Sequence, residues 1–176
     1  LWTTETKHNS FLPLAIAAEH TEHIRLGTAV AIAFPRSPMV MAQLAWDLQA
    51  LSNGRFILGL GTQVKAHIER RFGMPWEPAV PKLRDYILAL RAIWAAFQGT
   101  ERLNYAGRFY NLSLMTPFFN PGSIADPDIP IYIAGVNEGL ARLAGELCQG
   151  FHVHPFHSVR YLNEIVRPHV SSAAAK

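Results

Sequence analysis

Residues 51–61 read Leu-Ser-Asn-Gly-Arg-Phe-Ile-Leu-Gly-Leu-Gly. Asn53-Gly54 is a helix-stopping pair, and the apolar run that follows it, residues 55–60, is typical of a strand buried on both faces. The residues before the pair predict a helix from Pro38 to Leu51, because Ser37 can cap it and proline suits its first turn. Helix, turn and buried strand in this order form the repeating unit of an α/β protein.

Similar units lie on both sides of this stretch. An opening strand is predicted at residues 2–8, and further buried strands at 24–34, 131–134 and 151–154. Helices are predicted between them, at residues 13–23, 65–72, 83–97, 137–147 and 158–166. A hairpin at 99–114 and a loop rich in proline and glycine at 117–130 predict an insertion of about residues 100–130.

Strands that alternate with helices predict a parallel sheet, either doubly wound or closed into a (β/α)8 barrel. A complete barrel takes about 250 residues, whereas this chain has 176. It has room for roughly five to six of the eight barrel units. If the fold is a barrel, we therefore expect this chain to be part of one.

Composition narrows the class of protein. Hydrophobic residues make up 49% of the chain and charged residues 16%, which excludes a disordered protein. The net charge of +3 is spread out, without the basic stripe expected of a nucleic-acid-binding protein. The single cysteine, Cys148, is expected to be a buried thiol. With no apparent membrane span or signal peptide, the sequence predicts a cytoplasmic protein.

Glycines and histidines follow two of the predicted strands. Residues 59–64, Gly-Leu-Gly-Thr-Gln-Val, resemble a dinucleotide fingerprint whose third glycine is replaced by Val64. They fit either a tight strand exit or a cofactor site at the carboxyl end of the strand. His152, His154 and His157 form another strand-end cluster, which we interpret as active-site polar groups, with a metal site as the alternative.

Two further residues are candidates for binding. Glu5 is placed at the end of the opening strand, where it could position a substrate or cofactor, or else pair with Lys7 in solvent. Asn137 follows Ala134-Gly135-Val136 and would cap a helix whose free N–H groups suit a phosphate. A plain helix cap without a ligand is the alternative.

These motifs together resemble the bacterial luciferase-like monooxygenase family. The resemblance covers essentially the whole chain. It is carried by residues 24–30 with Pro35, Ser37-Pro38 and 42–45; by 51–61; by 84–94 with Gly107-Arg108-Phe109-Tyr110; and by 130–135 with Ala141, Ala144-Gly145 and Gly150-Phe151.

The resemblance implies a (β/α)8 TIM barrel that binds FMN or the deazaflavin coenzyme F420. It implies that the chain runs from the end of barrel strand two to just beyond strand six, so we expect the natural protein to be longer. It also implies a non-prolyl cis peptide at or beside Ala29-Val30. The cofactor-binding residues implied by position are Glu5, Ala29, Val30, Gly61, Thr62, Gln63, Ala134, Gly135, Val136 and Asn137.

The chain departs from the sugar-phosphate dehydrogenases of this family at two positions. Thr6 stands where they have a histidine, and Val64 where they have a glutamate. We therefore take Glu5, His154 and His157 as candidate catalytic residues, with the histidines moving the proton.

The expected activity is hydride transfer between F420 and a small organic substrate. An FMN-dependent monooxygenase, a metal-dependent hydrolase that uses the three histidines, and a non-catalytic binding module are the alternatives. A homodimer is expected, with the helix from Pro38 to Leu51 as either its interface or core packing.

Overall fold

The computed structural model describes residues 1–175 as an open parallel sheet covered by helices. The strands are β1 (Trp2–Thr3), β2 (Leu26–Thr28), β3 (Ala31–Ile32), β4 (Phe56–Gly61), β5 (Tyr105–Ala106), β6 (Asn111–Leu112), β7 (Ile131–Ala134) and β8 (Gly150–His152). The helices are α1 (Leu12–His20), α2 (Pro38–Leu51), α3 (Lys65–Arg70), α4 (Ala79–Gln98), α5 (Glu138–Leu147), α6 (Val159–Tyr161) and α7 (Arg167–Ala174). A 3-10 turn spans Pro117–Phe119, and a π-helical turn, Leu162–Val166, joins α6 to α7.

The main sheet has the order β1-β2-β4-β7-β8, and β3 pairs with the carboxyl-terminal half of β4. All of these pairings are parallel, as the alternation of strands and helices predicted. Because all of these strands run parallel, their carboxyl ends meet at one edge of the sheet.

The sheet is strongly curved. In a flat sheet, β1 and β8 would be separated by four strand spacings, or about 19 Å. Instead, the ring of Trp2 on β1 lies 4.8 Å from the ring of His152 on β8, and 5.9 Å from that of Tyr132 on β7. Rings from both edges therefore meet on the concave face, as they do inside a barrel.

Two predicted strands are shorter than the sequence indicated. The single strand predicted at 24–34 is two strands, β2 and β3, because the peptide between Ala29 and Val30 is cis and interrupts the ladder. The predicted position of this cis peptide is thus confirmed. The opening strand ends at Thr3, not at His8, so Glu5 lies in the loop after it.

The helices follow their local signals. Ser37 caps α2 by accepting a hydrogen bond from the Val40 N–H at 3.2 Å, and Gly99 ends α4 with a φ of 77°. The predicted first helix ends three residues early, at His20, because the Arg55 guanidinium binds the carbonyls of Ala18 and Thr21. The predicted last helix extends instead to Ala174.

The core lies between the sheet and the helices α2 and α4. Met41, Ala45 and Trp46 of α2 are fully buried, so core packing accounts for much of the low charge of this helix. No helix within residues 1–175 is both long enough and apolar enough to cross a membrane.

The predicted hairpin is present as the antiparallel pair β5 and β6. A buried carboxylate, Asp85 of α4, attaches it to the core. Asp85 accepts hydrogen bonds from the Tyr105 hydroxyl and from the N–H groups of Phe109 and Tyr110. Gly107 lies so close to this carboxylate that a β-carbon would overlap it. One side chain therefore holds β5 and the turn before β6 against α4.

Candidate functional site

A cleft of about 850 Å³ opens at the carboxyl ends of the strands. Its walls come from four chain segments, namely those that follow β2, β4, β7 and β8. This edge is where parallel α/β folds bind their ligands. The volume lies within the range of about 300–1,000 Å³ that small-molecule sites occupy.

The cleft brings together almost all of the predicted cofactor-binding residues. Nine of the ten line it: Ala29, Val30, Gly61, Thr62, Gln63, Ala134, Gly135, Val136 and Asn137. They come from three segments that are more than thirty residues apart in sequence. Only folding could place them around one space, and this convergence identifies the cleft as the candidate site.

One wall of the cleft is built on close contacts between β2, β3 and β4. The Thr28 hydroxyl donates to the Gly59 carbonyl at 2.7 Å and accepts from the Gly59 N–H at 2.9 Å, which ties β2 to β4. Beyond it, a β-carbon on Gly61 would lie 2.5 Å from Cγ2 of Val30. Because Gly61 carries no side chain, the Val30 side chain and the Gly61 backbone can lie side by side in this wall and form its apolar surface.

The opposite wall contains the start of α5. Asn137 caps this helix, accepting a hydrogen bond from the Leu140 N–H at 3.0 Å. The preceding Gly135 is packed against the Leu140 side chain so closely that a β-carbon would overlap it. The ten-residue helix α5 thus begins at the cleft with its positive dipole end, which favours an anionic group.

The three clustered histidines occupy different places. His152 and His154 line the cleft, but His157 does not. Burial lowers the pKa of His152, and its ring packs between those of Trp2 and Tyr132. His157 instead packs against Tyr161, with 4.9 Å between the ring centres.

His154 lies at the exposed rim of the cleft. Its Nδ1 accepts a hydrogen bond from the Phe156 N–H at 3.2 Å. A neutral imidazole whose Nδ1 accepts must carry its proton on Nε2. His154 is therefore arranged to donate a hydrogen bond from Nε2.

The predicted alternative of a metal site on these histidines is wrong. Within residues 1–175, no three His, Cys, Asp or Glu side chains are close enough together to hold a metal ion. The His-x-His-x-x-His spacing failed as a signal because β8 ends at His152, and the following residues turn away in a loop.

Glu5 is the one predicted cofactor-binding residue that does not line the cleft. Its carboxylate pairs with Arg36 rather than with Lys7 in solvent, and it also accepts a hydrogen bond from the Ile32 N–H at 2.7 Å. All of these partners belong to the protein, so the geometry does not favour direct contact of Glu5 with a ligand.

Sequence reasoning missed several residues of the cleft. The cleft residues that were not predicted to bind the cofactor or to act in catalysis are Ile32, Val64, Lys65, Trp76, Ala79, Leu140, Val153 and Pro155. Trp76 lies in the proline-rich loop before α4, where an isolated tryptophan was the one available signal. The lone Cys148 lies outside the cleft, where burial raises the pKa of its thiol to about 12.

Comparison with known proteins gives consistent results. Residues 1–176 match the family model of luciferase-like monooxygenases. An uncharacterised protein of Mycobacterium tuberculosis is 47% identical over 95% of this chain and 49% of its own length. An F420-dependent glucose-6-phosphate dehydrogenase of Intrasporangium calvum is 34% identical over 85% of this chain and 45% of its own length.

Among solved structures, the coenzyme F420-dependent tetrahydromethanopterin reductase of Methanopyrus kandleri superposes with a TM-score of 0.79 at 24% identity. The match covers 99% of this chain and 52% of that one. The chain spans about half the length of the curated relatives it matches. Its strands form part of a (β/α)8 barrel, and the chain belongs to the luciferase-like monooxygenase family.

Proposed function

We propose that this protein is an oxidoreductase that transfers a hydride between coenzyme F420 and a small organic substrate. The observation that carries the proposal is the convergence of nine predicted cofactor-binding residues on one cleft at the carboxyl ends of the strands. Relatives that are named as F420-dependent enzymes favour F420 over FMN, including one that is 34% identical to this chain.

The residues of the cleft fit such a cofactor. The wall that contains Val30 and Gly61 presents apolar surface and bare backbone, which suits the face of a flat ring. The start of α5 at Asn137 suits the anionic tail of the molecule. When bound, a deazaflavin ring supplies the hydride chemistry, while the protein orients the ring and excludes water.

We propose that His154 stabilises the substrate by a hydrogen bond. Its Nδ1 already accepts the Phe156 N–H, so the neutral ring carries its proton on Nε2 and donates from there. A hydrogen-bond donor at the rim can stabilise a substrate oxygen as that atom gains electron density. His157 does not line the cleft; we propose that it supports Tyr161, whose hydroxyl donates to the Val136 carbonyl at 2.8 Å.

Titration of the full-length protein that contains this chain with F420, and separately with FMN, tests the proposal. We expect F420 fluorescence to change on binding, with weaker binding in an Asn137→Ala variant, which loses the cap of α5. Asn104→Ala is the matched control, since Asn104 is exposed and does not line the cleft. Binding of FMN alone would favour the monooxygenase, and binding of neither cofactor would end the proposal.

We also propose that the protein forms a homodimer. Alongside the buried face of α2, Val40 and Leu51 remain about half exposed, and Phe118 in the adjacent turn is 88% exposed. Light scattering of the full-length protein would give the molar mass, and a monomer would contradict this proposal.

A further inference from the structure

Two side chains bind the peptide groups of Ile32 where a neighbouring strand would otherwise do so. On one side, β3 pairs with β4, with Ile32 opposite Gly61. On the other side, β1 has already ended at Thr3. There, the Ile32 N–H donates to Oε2 of Glu5 at 2.7 Å, and its carbonyl accepts from Nη1 of Arg36 at 3.0 Å. Glu5 and Arg36 thus make the two hydrogen bonds to Ile32 that one residue of a neighbouring strand would otherwise make.

The two side chains also bind each other through two parallel hydrogen bonds. Nη1 of Arg36 lies 2.9 Å from Oε2 of Glu5, and Nη2 lies 2.5 Å from Oε1. The side chain of Arg36 is only 16% exposed and that of Glu5 only 9%. The Arg36 guanidinium lies over the Phe11 ring, with 5.6 Å between its central carbon and the ring centre. This bidentate geometry is specific to arginine, because a lysine ammonium cannot present two parallel donors.

The strand that this pair holds forms part of the cleft. Ile32 lines the cleft, as do Ala29 and Val30 just before it and Gly61 opposite it on β4. Release of the Ile32 peptide would free β3 to move away from β4, because no strand supports its other edge within the described residues. The position of the apolar wall therefore depends on Glu5 and Arg36, although neither of them lines the cleft.

We propose that Glu5 and Arg36 are positioning residues that hold β3 against β4 as one wall of the cofactor cleft. Glu5 acts through the backbone of Ile32 and not by contact with the cofactor. The inference rests on the proposed function for the identity of the ligand, but the restraint on β3 can be measured without any ligand.

The test uses the full-length protein with Arg36→Lys, which keeps the charge and loses the bidentate contact. Arg71→Lys is the matched control, because Arg71 binds the Thr6 carbonyl at 2.7 Å, next to Glu5, and is exposed. Amide hydrogen exchange of Ile32 and the F420 dissociation constant are measured for each variant. We expect Ile32 to exchange at least about tenfold faster and F420 to bind at least about tenfold more weakly in Arg36→Lys, with neither change in the control.

Glu5→Gln provides a second variant if Arg36→Lys fails to fold, and the same two changes are expected. Unchanged exchange at Ile32 would overturn the inference, as would faster exchange with wild-type affinity for F420. If the wild-type protein binds neither F420 nor FMN, the proposed function fails. The exchange rate of Ile32 then decides alone whether the pair holds β3.

Discussion

Substitution of Gly61 by alanine tests the close contact in the cleft wall. The added β-carbon would lie 2.5 Å from Cγ2 of Val30, whereas carbon atoms in contact are about 3.5–4.0 Å apart. The valine side chain is β-branched and has little freedom to rotate away, so β3 and β4 must separate by roughly 1 Å. Overpacking of this kind costs about 1–3 kcal/mol of the free energy of unfolding.

A second substitution shows whether this contact is the cause. Val30→Ala removes Cγ2, at a cost of about 1 kcal/mol for a half-buried side chain. In the double variant the added β-carbon has space. We therefore expect the two substitutions together to cost at least about 1 kcal/mol less than the sum of their separate costs.

Urea denaturation of the four proteins, followed by tryptophan fluorescence, measures these differences. F420 titration of the same samples measures how the substitutions affect binding in the cleft. We expect the affinity for F420 to fall about tenfold in Gly61→Ala, which is about 1.4 kcal/mol of binding free energy. Wild-type stability in Gly61→Ala would refute the reasoning. So would strictly additive costs in the double variant, since the two side chains would then not touch.

Three further predictions concern residues around the site. Asp85→Ala should lower the free energy of unfolding by about 3 kcal/mol in urea denaturation, because three partly buried donors lose the carboxylate that accepts their hydrogen bonds. Asp85→Asn should cost about half as much, since an amide oxygen can still accept from Phe109 and Tyr110; equal costs would contradict this. Arg55→Lys should lower the free energy of unfolding by about 1–3 kcal/mol and the melting temperature by several degrees. A lysine ammonium cannot reproduce the guanidinium hydrogen bonds to the carbonyls at the end of α1. An unchanged melting temperature would count against this prediction. Since burial lowers the pKa of His152, protonation favours the unfolded chain, and stability should fall as the pH drops below the usual histidine value of about 6.5. Denaturation at several pH values should show a smaller acid loss in His152→Gln than in wild type, and identical losses would exclude His152 as a cause.

Elements with a continuous local signal could be predicted from the sequence. The buried strand β4 and the helix α2 follow from an apolar run and a Ser-Pro start, and both lie within one residue of the predicted limits. The parallel sheet followed from the order of the elements. These signals are local, so they survive in the sequence of a single chain.

The interruption between β2 and β3 had no local signal. Residues 26–34 are apolar apart from Thr28, and hydropathy does not distinguish one strand from two in line. The family resemblance alone implied the cis peptide at Ala29-Val30. It also assigned nine residues of the cleft to the cofactor, of which Ala29 and Val30 lie in no other motif and would not be selected as functional by residue type.

Residue type was least reliable for charged and titratable side chains, because their role depends on which partner the fold brings to them. Glu5 has a lysine two residues away in sequence, yet its partner is Arg36, thirty-one residues away. The three histidines are close in sequence but do not form a metal-binding group, because the chain turns after β8; His154 and His157 lie 5.9 Å apart between ring centres, and His152 packs between Trp2 and Tyr132.

The concave face shows how glycines determine where the cleft lies. Gly27 and Gly150 are each covered by an aromatic ring, those of Trp2 and Tyr132, and a β-carbon on Gly59 would lie 2.6 Å from Nε2 of His152. Because these three strand positions carry no side chain, the three rings can pack against the inside of the sheet and against one another, with the rings of Trp2 and His152 edge to face. The cleft opens beside them, at the carboxyl ends of the strands. His152 belongs both to this cluster of rings and to the lining of the cleft, so the packing of the interior also places an imidazole in the cleft, with its pKa lowered by burial.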